Sequence, residues 1–289
     1  MKKFLFLSII FITYNTFAQT NTEVYVFDIS PAYEGLELLN IQPVSSNKGY
    51  NNQPSFQTDD FILYSSNNEG QNDIAKFHVT YRVWEWFNTP TKNGSEFSPQ
   101  TFPSSNDVAA VRLDKDGLQR LYKYDSQTGK STELIKDLQI AYFAFYNDQK
   151  ILSTVLDGDK MDLVMIDLPL KKADTLFYNV GRSLQKVPKI NSMSYSLLNE
   201  EGNLDLYLLD MDSYESFFVT EMPIGIQDYV WLNDTQILIG SGNKLYMYDT
   251  LGDSEWTRVA SLEEYGLKNI TRMAISPNGK KLAIVAESK

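Results

Sequence analysis

The chain contains one histidine, His78, and no cysteine, which narrows the chemistry that its side chains can perform. Protein zinc sites are built mainly from several histidine or cysteine ligands, so a multi-histidine zinc site is excluded. A serine–histidine–aspartate arrangement would have to use His78. That residue lies in an apolar stretch, 74–79, whose pattern favours a strand. We expect its ring to face solvent or a neighbouring structural unit rather than to act as a catalytic base.

Acidic side chains are the remaining candidates for catalysis. A pair of carboxylates can cleave a glycosidic bond, and oxygen ligands alone are sufficient for calcium. The candidates fall in turns or at strand ends, where aspartate normally accepts local hydrogen bonds, and none has the spacing of an EF-hand loop. The groups are Asp59 with Asp60; Asp157, Asp159 and Asp162; Asp205, Asp210 and Asp212; and Glu263 with Glu264. We therefore predict no catalytic residue and no cofactor, with calcium left open.

Internal repetition supplies the frame that must position the functional residues. The clearest unit is 271–287, which predicts a strand, a tight turn at 276–279 and a second strand. In that turn proline presets one backbone angle, and Asn-Gly tolerates the positive φ that a tight reversal needs. Weaker versions of the unit open at residues 53, 98, 142, 183 and 228, and the clearest unit opens at residue 272, so that consecutive units are 41 to 45 residues apart.

Each unit predicts two apolar strands joined by a polar turn, a third strand that often ends in aspartate, and a more polar fourth strand. Four antiparallel strands at this interval are typical of a β-propeller. The last unit has only two strands before Lys289, whereas residues 23–28 and 36–40 supply two strands without a unit. We therefore predict an all-β, six-bladed β-propeller whose last blade is closed by N-terminal strands, which leaves no open edge. A β-sandwich and an open solenoid are the alternatives.

Residues 1–18 have the pattern of a cleavable signal peptide. Lys2 and Lys3 precede a short apolar run at 4–12, and the small residues Thr16 and Ala18 precede Gln19. About nine apolar residues are too few for a transmembrane helix, which needs about 20, and no cysteine is present for a lipoprotein anchor. We predict a periplasmic or secreted protein whose mature part, residues 19–289, is one propeller domain that is not embedded in a membrane.

The predicted mature part is acidic and has no disulfides. Loss of Lys2 and Lys3 from 26 basic residues, against 37 acidic ones, changes the formal charge from −11 to −13. Such a charge disfavours nucleic acid and anionic membrane surfaces as partners. Because no disulfide can stabilise the fold, it needs a substantial core, and 43% hydrophobic residues with 18 Tyr and 16 Phe can build one from sheet. We expect a monomer that binds a protein or a small anionic ligand.

The segment 275–284, Ile-Ser-Pro-Asn-Gly-Lys-Lys-Leu-Ala-Ile, resembles the Ser-Pro-Asp-Gly-Lys repeat of TolB-like, WD-type propellers. Stretches at 118–122, 180–184, 242–249 and 265–272 are similar to exported bacterial propellers of unassigned role. The resemblance implies a six-bladed propeller in the periplasm or outside the cell. TolB also carries an α/β domain, and related propellers carry a serine-peptidase domain. Residues 19–52 are needed as strands and no Gly-x-Ser-x-Gly motif occurs, so we expect neither domain.

Equivalent positions at the start of the opening strands should form a ring at one mouth of the channel, because these strands line it. The ring consists of Gln53, Ser98, Tyr142, Ser183, Asp228 and Arg272, and Arg182 lies one position earlier than Ser183. Converging polar groups in a concave site predict ligand binding, and arginines can hold a carboxylate or phosphate in bidentate fashion. The predicted site contains Gln53, Tyr142, Arg182, Ser183, Asp228 and Arg272. The alternative is a water-filled channel whose polar groups satisfy one another.

Trp84 and Trp86 stand out on the predicted outer strand of the first unit, shortly after Tyr81. An exposed aromatic patch there would bind a partner protein or a glycan. The alternative is that these rings pack against the neighbouring blade or the N-terminal segment.

Two functions follow from these observations. The first is a non-enzymatic binding or scaffold protein that uses one mouth of the channel, and the shortage of catalytic residue types favours it. The second is a hydrolase or lyase that acts on a small anionic substrate, such as a sugar acid or lactone, with calcium as a candidate ion.

Overall fold

A computed structural model describes the protein at residues 21–33, 35–45, 47–87, 91–92, 94–252 and 255–288. The predicted signal peptide, residues 1–18, lies outside the described residues. In chain order the strands are β1 (Glu23–Ala32), β2 (Gly35–Pro43), β3 (Asn51–Thr58), β4 (Phe61–Asn68), β5 (Gln71–His78), β6 (Val83–Trp86), β7 (Gly94–Thr101), β8 (Val108–Asp114), β9 (Gln119–Tyr124), β10 (Ser131–Glu133), β11 (Ile140–Phe145), β12 (Lys150–Asp157), β13 (Lys160–Asp167), β14 (Lys172–Phe177), β15 (Val180–Lys186), β16 (Ser192–Leu198), β17 (Leu204–Asp210), β18 (Ser216–Glu221), β19 (Tyr229–Trp231), β20 (Gln236–Ser241), β21 (Lys244–Asp249), β22 (Thr257–Ser261), β23 (Leu267–Ile275) and β24 (Lys281–Ser288).

The described strands form six antiparallel sheets of four strands, which are the blades of a propeller. Blades I to V each use four consecutive strands, from β3–β6 for blade I to β19–β22 for blade V. The first strand of each blade contacts the first strand of the next, and β23 contacts β3, so the innermost strands form a closed ring. This arrangement confirms the predicted six-bladed β-propeller.

Blade VI joins the two ends of the described chain, in the strand order β2-β1-β24-β23. Strand β1 pairs with β24 from Glu23 opposite Ala286 to Asp28 opposite Lys281. An ion pair of 2.6 Å between Lys281 Nζ and Asp28 Oδ1 lies at the end of this ladder. Closure of the last blade by N-terminal strands is therefore confirmed.

The hydrophobic core is divided among the interfaces between neighbouring blades. Six clusters of buried side chains fill the six interfaces. Strand β24 shows the principle: Leu282 and Ile284 pack toward blade V, whereas Ala283 and Val285 pack toward blade I. Because successive side chains point to opposite faces of a strand, a strand between two blades must be apolar on both faces. This explains the short, continuous apolar runs in the sequence.

Side chains on the innermost strands also join neighbouring blades. Three donors occupy equivalent positions, two residues after the predicted ring, and each donates to a backbone carbonyl of the next blade. The bonds run from Ser55 Oγ to Pro99 O (2.6 Å), from Gln100 Nε2 to Phe143 O (2.6 Å) and from Gln185 Nε2 to Tyr229 O (3.4 Å). The channel wall is thus hydrogen-bonded between blades I and II, II and III, and IV and V, as well as within each blade.

The turn at 276–279 forms as predicted between β23 and β24. Gly279 has φ of +70°, and its N–H donates to Ser276 O at 2.8 Å. The Asn278 N–H donates to Asp59 Oδ1 of blade I at 2.9 Å, which links the last blade to the first. In the described part of the chain, no helix is both long and apolar enough to cross a membrane.

Candidate functional site

The predicted ring lies where the innermost strands are irregular. The pairing register shifts between Asn52 and Ser55 in β3, and between Phe97 and Gln100 in β7. Equivalent shifts occur in β11, β15 and β23, and β19 begins only after Asp228. A bulge interrupts the ladder and turns a side chain away from the regular alternation. The ring residues thus lie where the regular alternation of the innermost strands is interrupted.

The channel encloses a cavity of about 550 Å³. All six residues of the predicted site line it: Gln53, Tyr142, Arg182, Ser183, Asp228 and Arg272. The structure thus brings them together around one space, and ligand binding by them stays a prediction. The opposite end of the same cavity is lined by Lys189, Asn233 and the turn at 276–279.

Asp228 connects two arginines from the blades on either side of it. Arg182 of blade IV donates to the Asp228 carboxylate through Nε (3.0 Å to Oδ2) and through a second, close contact from Nη2. Arg272 of blade VI approaches Asp228 Oδ1 through Nη1 at 2.8 Å. The Arg272 guanidinium also lies 5.2 Å from the centre of the Tyr142 ring. Three charged side chains from three consecutive blades therefore form one network.

The network carries one net positive charge, because one carboxylate faces two guanidinium groups. Burial opposes charge on Arg182, yet the Asp228 carboxylate raises the pKa of Arg182 above its ordinary value through its charge and hydrogen bonds. The side chains of Arg182, Arg272 and Asp228 are 29%, 16% and 10% exposed. Both guanidinium groups are thus shielded from most of the solvent, where electrostatic interactions are stronger than in water.

Tyr50 is a neighbour of this network that the sequence did not reveal. It precedes β3, and its ring contacts Phe97 edge-on at 6.0 Å between centroids. Burial raises the pKa of the Tyr50 hydroxyl to about 12, although the nearby Arg272 charge lowers it. The hydroxyl is therefore neutral at physiological pH and can donate a hydrogen bond. Its place three residues before Gln53 is the only sequence signal that could have identified it.

Two residues of the predicted site have structural roles. The side-chain oxygen of Gln53 accepts a hydrogen bond from the backbone N–H of Ser98 at 2.8 Å, and so joins blades I and II. Ser183 is 5% exposed, and its carbonyl accepts a bond from the buried Tyr229 hydroxyl at 3.5 Å. Arg182, Asp228, Arg272 and Tyr142 therefore carry most of the chemistry available at this mouth.

A second polar cluster, also missed in the sequence, lies buried between blades I and II. Glu96 of β7 and Asp73 of β5 are each 1% exposed. Glu96 Oε1 accepts bonds from Thr91 Oγ1 (2.5 Å) and Tyr124 Oη (3.0 Å), whereas Oε2 has no hydrogen-bond donor among the residues that the structure describes. Burial raises the pKa of Glu96 to about 7, with a further contribution from Asp73.

The other acidic candidates serve local structure where their contacts are described. Asp210 Oδ1 accepts from the backbone N–H groups of Asp212 (3.0 Å) and Ser213 (2.8 Å), which closes the turn after β17. These bonds hold the pKa of Asp210 below its ordinary value. Among the described residues, no three histidine, cysteine, aspartate or glutamate side chains converge as metal ligands. Calcium binding stays a prediction without an assigned site.

The aromatic residues of blade I are partly packed. His78 lies between Phe61 and Tyr81, with ring centroids 4.4 Å from each. Trp84 and Trp86 contact each other edge-on at 4.8 Å and pack against the cluster between blades VI and I. That cluster includes residues of β1, so this contact is the packing alternative considered for the two tryptophans. A partner surface at Trp84 and Trp86 stays a prediction.

Comparison with known proteins concerns the fold. No protein-family model matches the chain, and no curated protein matches it in sequence. The crystal structure of TolB from Acinetobacter baumannii has a TM-score of 0.60 at 12% identity, with 94% of this chain and 65% of that chain covered. This chain therefore spans about two thirds of the length of that TolB.

Two further solved structures match over more than four fifths of both chains. Putative TolB from Agrobacterium tumefaciens has a TM-score of 0.67 at 12% identity, with 92% of this chain and 98% of that chain covered. An oligogalacturonate lyase in complex with manganese has a TM-score of 0.60 at 13% identity, with 88% and 83% covered. At these identities the likeness is one of fold, and the chain has the TolB-like six-bladed β-propeller fold.

Proposed function

We propose that the protein is a non-enzymatic binding propeller, which captures an anionic group at the mouth formed by Arg182, Asp228, Arg272 and Tyr142. The observation that carries this proposal is the excess of one positive charge in a cavity shielded from solvent. A carboxylate or a phosphate oxygen is the complementary group, because guanidinium N–H groups form charge-assisted hydrogen bonds with both.

Asp228 supports binding by fixing the positions of the two arginines. It occupies Nε and Nη2 of Arg182 and Nη1 of Arg272. The remaining guanidinium N–H groups of this pair have no protein acceptor among the described residues. Because these groups are already oriented, an arriving anion needs to order few side chains, which lowers the entropic cost of binding.

An enzyme of the hydrolase or lyase type is the second candidate. The fold shared with an oligogalacturonate lyase, which acts on a polymer of sugar acids, supports it, and a sugar acid would satisfy the same charge requirement. Acid–base catalysis needs a group whose pKa is near the working pH. Tyr50 has a pKa of about 12 and does not suit that role, and the Asp228 carboxylate is already engaged by two arginines. Calcium is a candidate ion for this second function.

The signal-peptide pattern at residues 1–18 supports export, and we place the binding protein in the periplasm or outside the cell. Recovery of an exported chain whose first residue is near Gln19 would agree with this placement. Retention of the uncleaved chain in the cytoplasm would argue against it.

The anion site is tested by Arg272→Gln, which leaves Arg182 and Asp228 as a neutral pair. Charge-assisted hydrogen bonds contribute about 1.5–3 kcal/mol each, so the substitution should weaken anion binding at least tenfold. Lys189→Gln is the matched control, because it removes a 75% exposed cation from the opposite mouth of the same channel. Calorimetric titration and thermal shift with inorganic phosphate and with galacturonate provide the measurement.

The wild type and Lys189→Gln should bind phosphate or galacturonate equally, and Arg272→Gln should bind each of them at least tenfold more weakly. Equal binding by all three proteins would refute an anion site at this mouth. Turnover of an unsaturated or lactone-forming sugar acid by the wild type would contradict the non-enzymatic function and support the hydrolase or lyase.

A further inference from the structure

A surface groove continues from the arginine mouth across the end of blade IV. Four segments form it: the β12–β13 turn, the β14–β15 connection, the β16–β17 turn and the β18–β19 connection. Its volume is about 380 Å³. Arg182 lines both this groove and the channel cavity, so the two spaces meet at that residue.

The groove is apolar along its walls. Met161, Val180, Leu204 and Ile226 contribute half-buried or buried side chains. Leu198 and Ile224 are 49% and 85% exposed, which is unusual for large aliphatic residues beside a concave surface. An occupant with apolar side chains would remove this surface from water, at about 25 cal/mol for each Å² buried.

The rim of the groove is polar and presents backbone. Gly202 and Gly225 have φ of +84° and +82°, and a Cβ at either position would meet nothing within 4 Å. No side chain therefore covers the backbone at these two points. Asn179 and Asn203 add side-chain amides along the same groove. An extended peptide can use such groups for main-chain hydrogen bonds, whereas an acyl chain cannot.

We propose that the groove and the arginine mouth together bind the C-terminal end of an extended peptide. This inference rests on the proposed anion site. The terminal carboxylate pairs with Arg182 and Arg272, and apolar side chains of the last residues lie against Met161, Leu198 and Ile224. Charge complementarity selects the free carboxylate, and the aliphatic walls select the residues before it. A binding protein with this site recognises partner proteins by their C-termini.

The test compares three short peptides by fluorescence anisotropy: an acetylated Gly-Ala-Leu-Leu with a free carboxylate, the same peptide as its amide, and acetylated Gly-Ala-Ser-Ser with a free carboxylate. The wild type should bind the first at least tenfold more tightly than either of the others. Ile224→Ser should weaken binding of the first peptide at least fivefold and leave phosphate binding unchanged. Ile190→Ser, an exposed isoleucine at the opposite mouth, should leave both unchanged.

Several outcomes separate this inference from the anion site itself. If phosphate binds but the leucine acid and its amide bind equally, the carboxylate assignment is wrong while the anion site stands. If Ile224→Ser and the wild type bind the leucine peptide equally, the groove is not its site. If decanoate competes with the peptide and binds more tightly than it does, the peptide assignment is wrong and the site binds an acyl anion. Failure of phosphate and of all three peptides would overturn both proposals.

Discussion

Replacement of Glu96 by glutamine should make the protein more stable at neutral pH. Glu96 lies 1% exposed between blades I and II, close to the equally buried Asp73. Burial raises the pKa of Glu96 from an ordinary value of 4.5 to about 7 in the folded state. The folded protein therefore holds this proton more tightly than the unfolded chain does.

The magnitude follows from linkage between protonation and folding. Each tenfold change in a proton affinity is worth about 1.4 kcal/mol, so the difference between the two pKa values corresponds to about 3 kcal/mol. Below pH 4.5 Glu96 carries the proton in both the folded and the unfolded state, so its burial does not lower the free energy of unfolding through titration. Between pH 4.5 and about 7 unfolding releases the proton, so stability falls as pH rises, and above the folded pKa the loss is complete.

Glutamine has nearly the same shape as glutamate and carries no charge. Its oxygen can accept from Thr91 and Tyr124, and its amide can donate to the nearby Asp73 carboxyl group. We expect Glu96→Gln to match the wild type at pH 4.5 and to exceed it by about 2–3 kcal/mol at pH 8. Urea unfolding at half-unit pH intervals measures the difference between the two proteins, in which the titration of other groups cancels.

Glu85→Gln is the control, because Glu85 is an exposed carboxylate on the outer strand of blade I. Its stability should follow that of the wild type at every pH. A stability difference between Glu96→Gln and the wild type that is constant from pH 4.5 to 8 would refute the reasoning, because the titration would then occur elsewhere. A variant less stable than the wild type at pH 8 would show that the charged carboxylate is needed, as a bound cation would require.

Two further substitutions test the packing of the ring. Ser194→Ala should lower the free energy of unfolding by about 2–3 kcal/mol, because Ser194 Oγ accepts bonds from the buried Tyr229 hydroxyl (2.9 Å) and the Trp231 indole N–H (2.8 Å). Urea unfolding measures this decrease in stability. A decrease smaller than that of an ordinary surface substitution would contradict the prediction. Phe27→Ala should lower the free energy of unfolding by about 3–5 kcal/mol, because Phe27 is fully buried in strand β1, which closes the last blade. An unchanged melting temperature would show that this closure contributes little to stability.

The fold could be predicted because the physical demand on each blade is the same. Every central strand is buried on both faces between two blades, as Leu282 and Ala283 show for β24, so each repeat keeps apolar residues at matching positions. The missing strands of the last unit and the two extra N-terminal strands then identified the closure. Strand ends were less predictable: the sequence predicts the fourth strand of blade II at residues 131–135, whereas the observed strand ends at Glu133.

The site could be predicted only in part, because repeat equivalence gives positions and not orientations. The register shift between Val180 and Leu184 lies in the segment that contains Arg182, which meets Asp228 of the next blade, and no sequence pattern indicated that shift. Tyr50 lies in the connection before β3, outside the repeat. Glu96 is a polar residue of β7, and its burial depends on contacts that the repeat does not encode, with Thr91 and with Tyr124.

The position of the charges links binding to closure of the ring. Arg182 lies in blade IV and Arg272 in blade VI, so an anion held by both would bridge two blades across the intervening one. In blade VI, Arg272 is paired with Val285 of β24, and Val285 is paired with Val24 of β1. The second arginine is therefore held in place through the same strands that close the propeller.

A ligand that binds only the closed state stabilises that state in proportion to the logarithm of its concentration. Occupancy of the mouth should thus oppose separation of β1 from β24, because opening the last blade would remove half of the anion site.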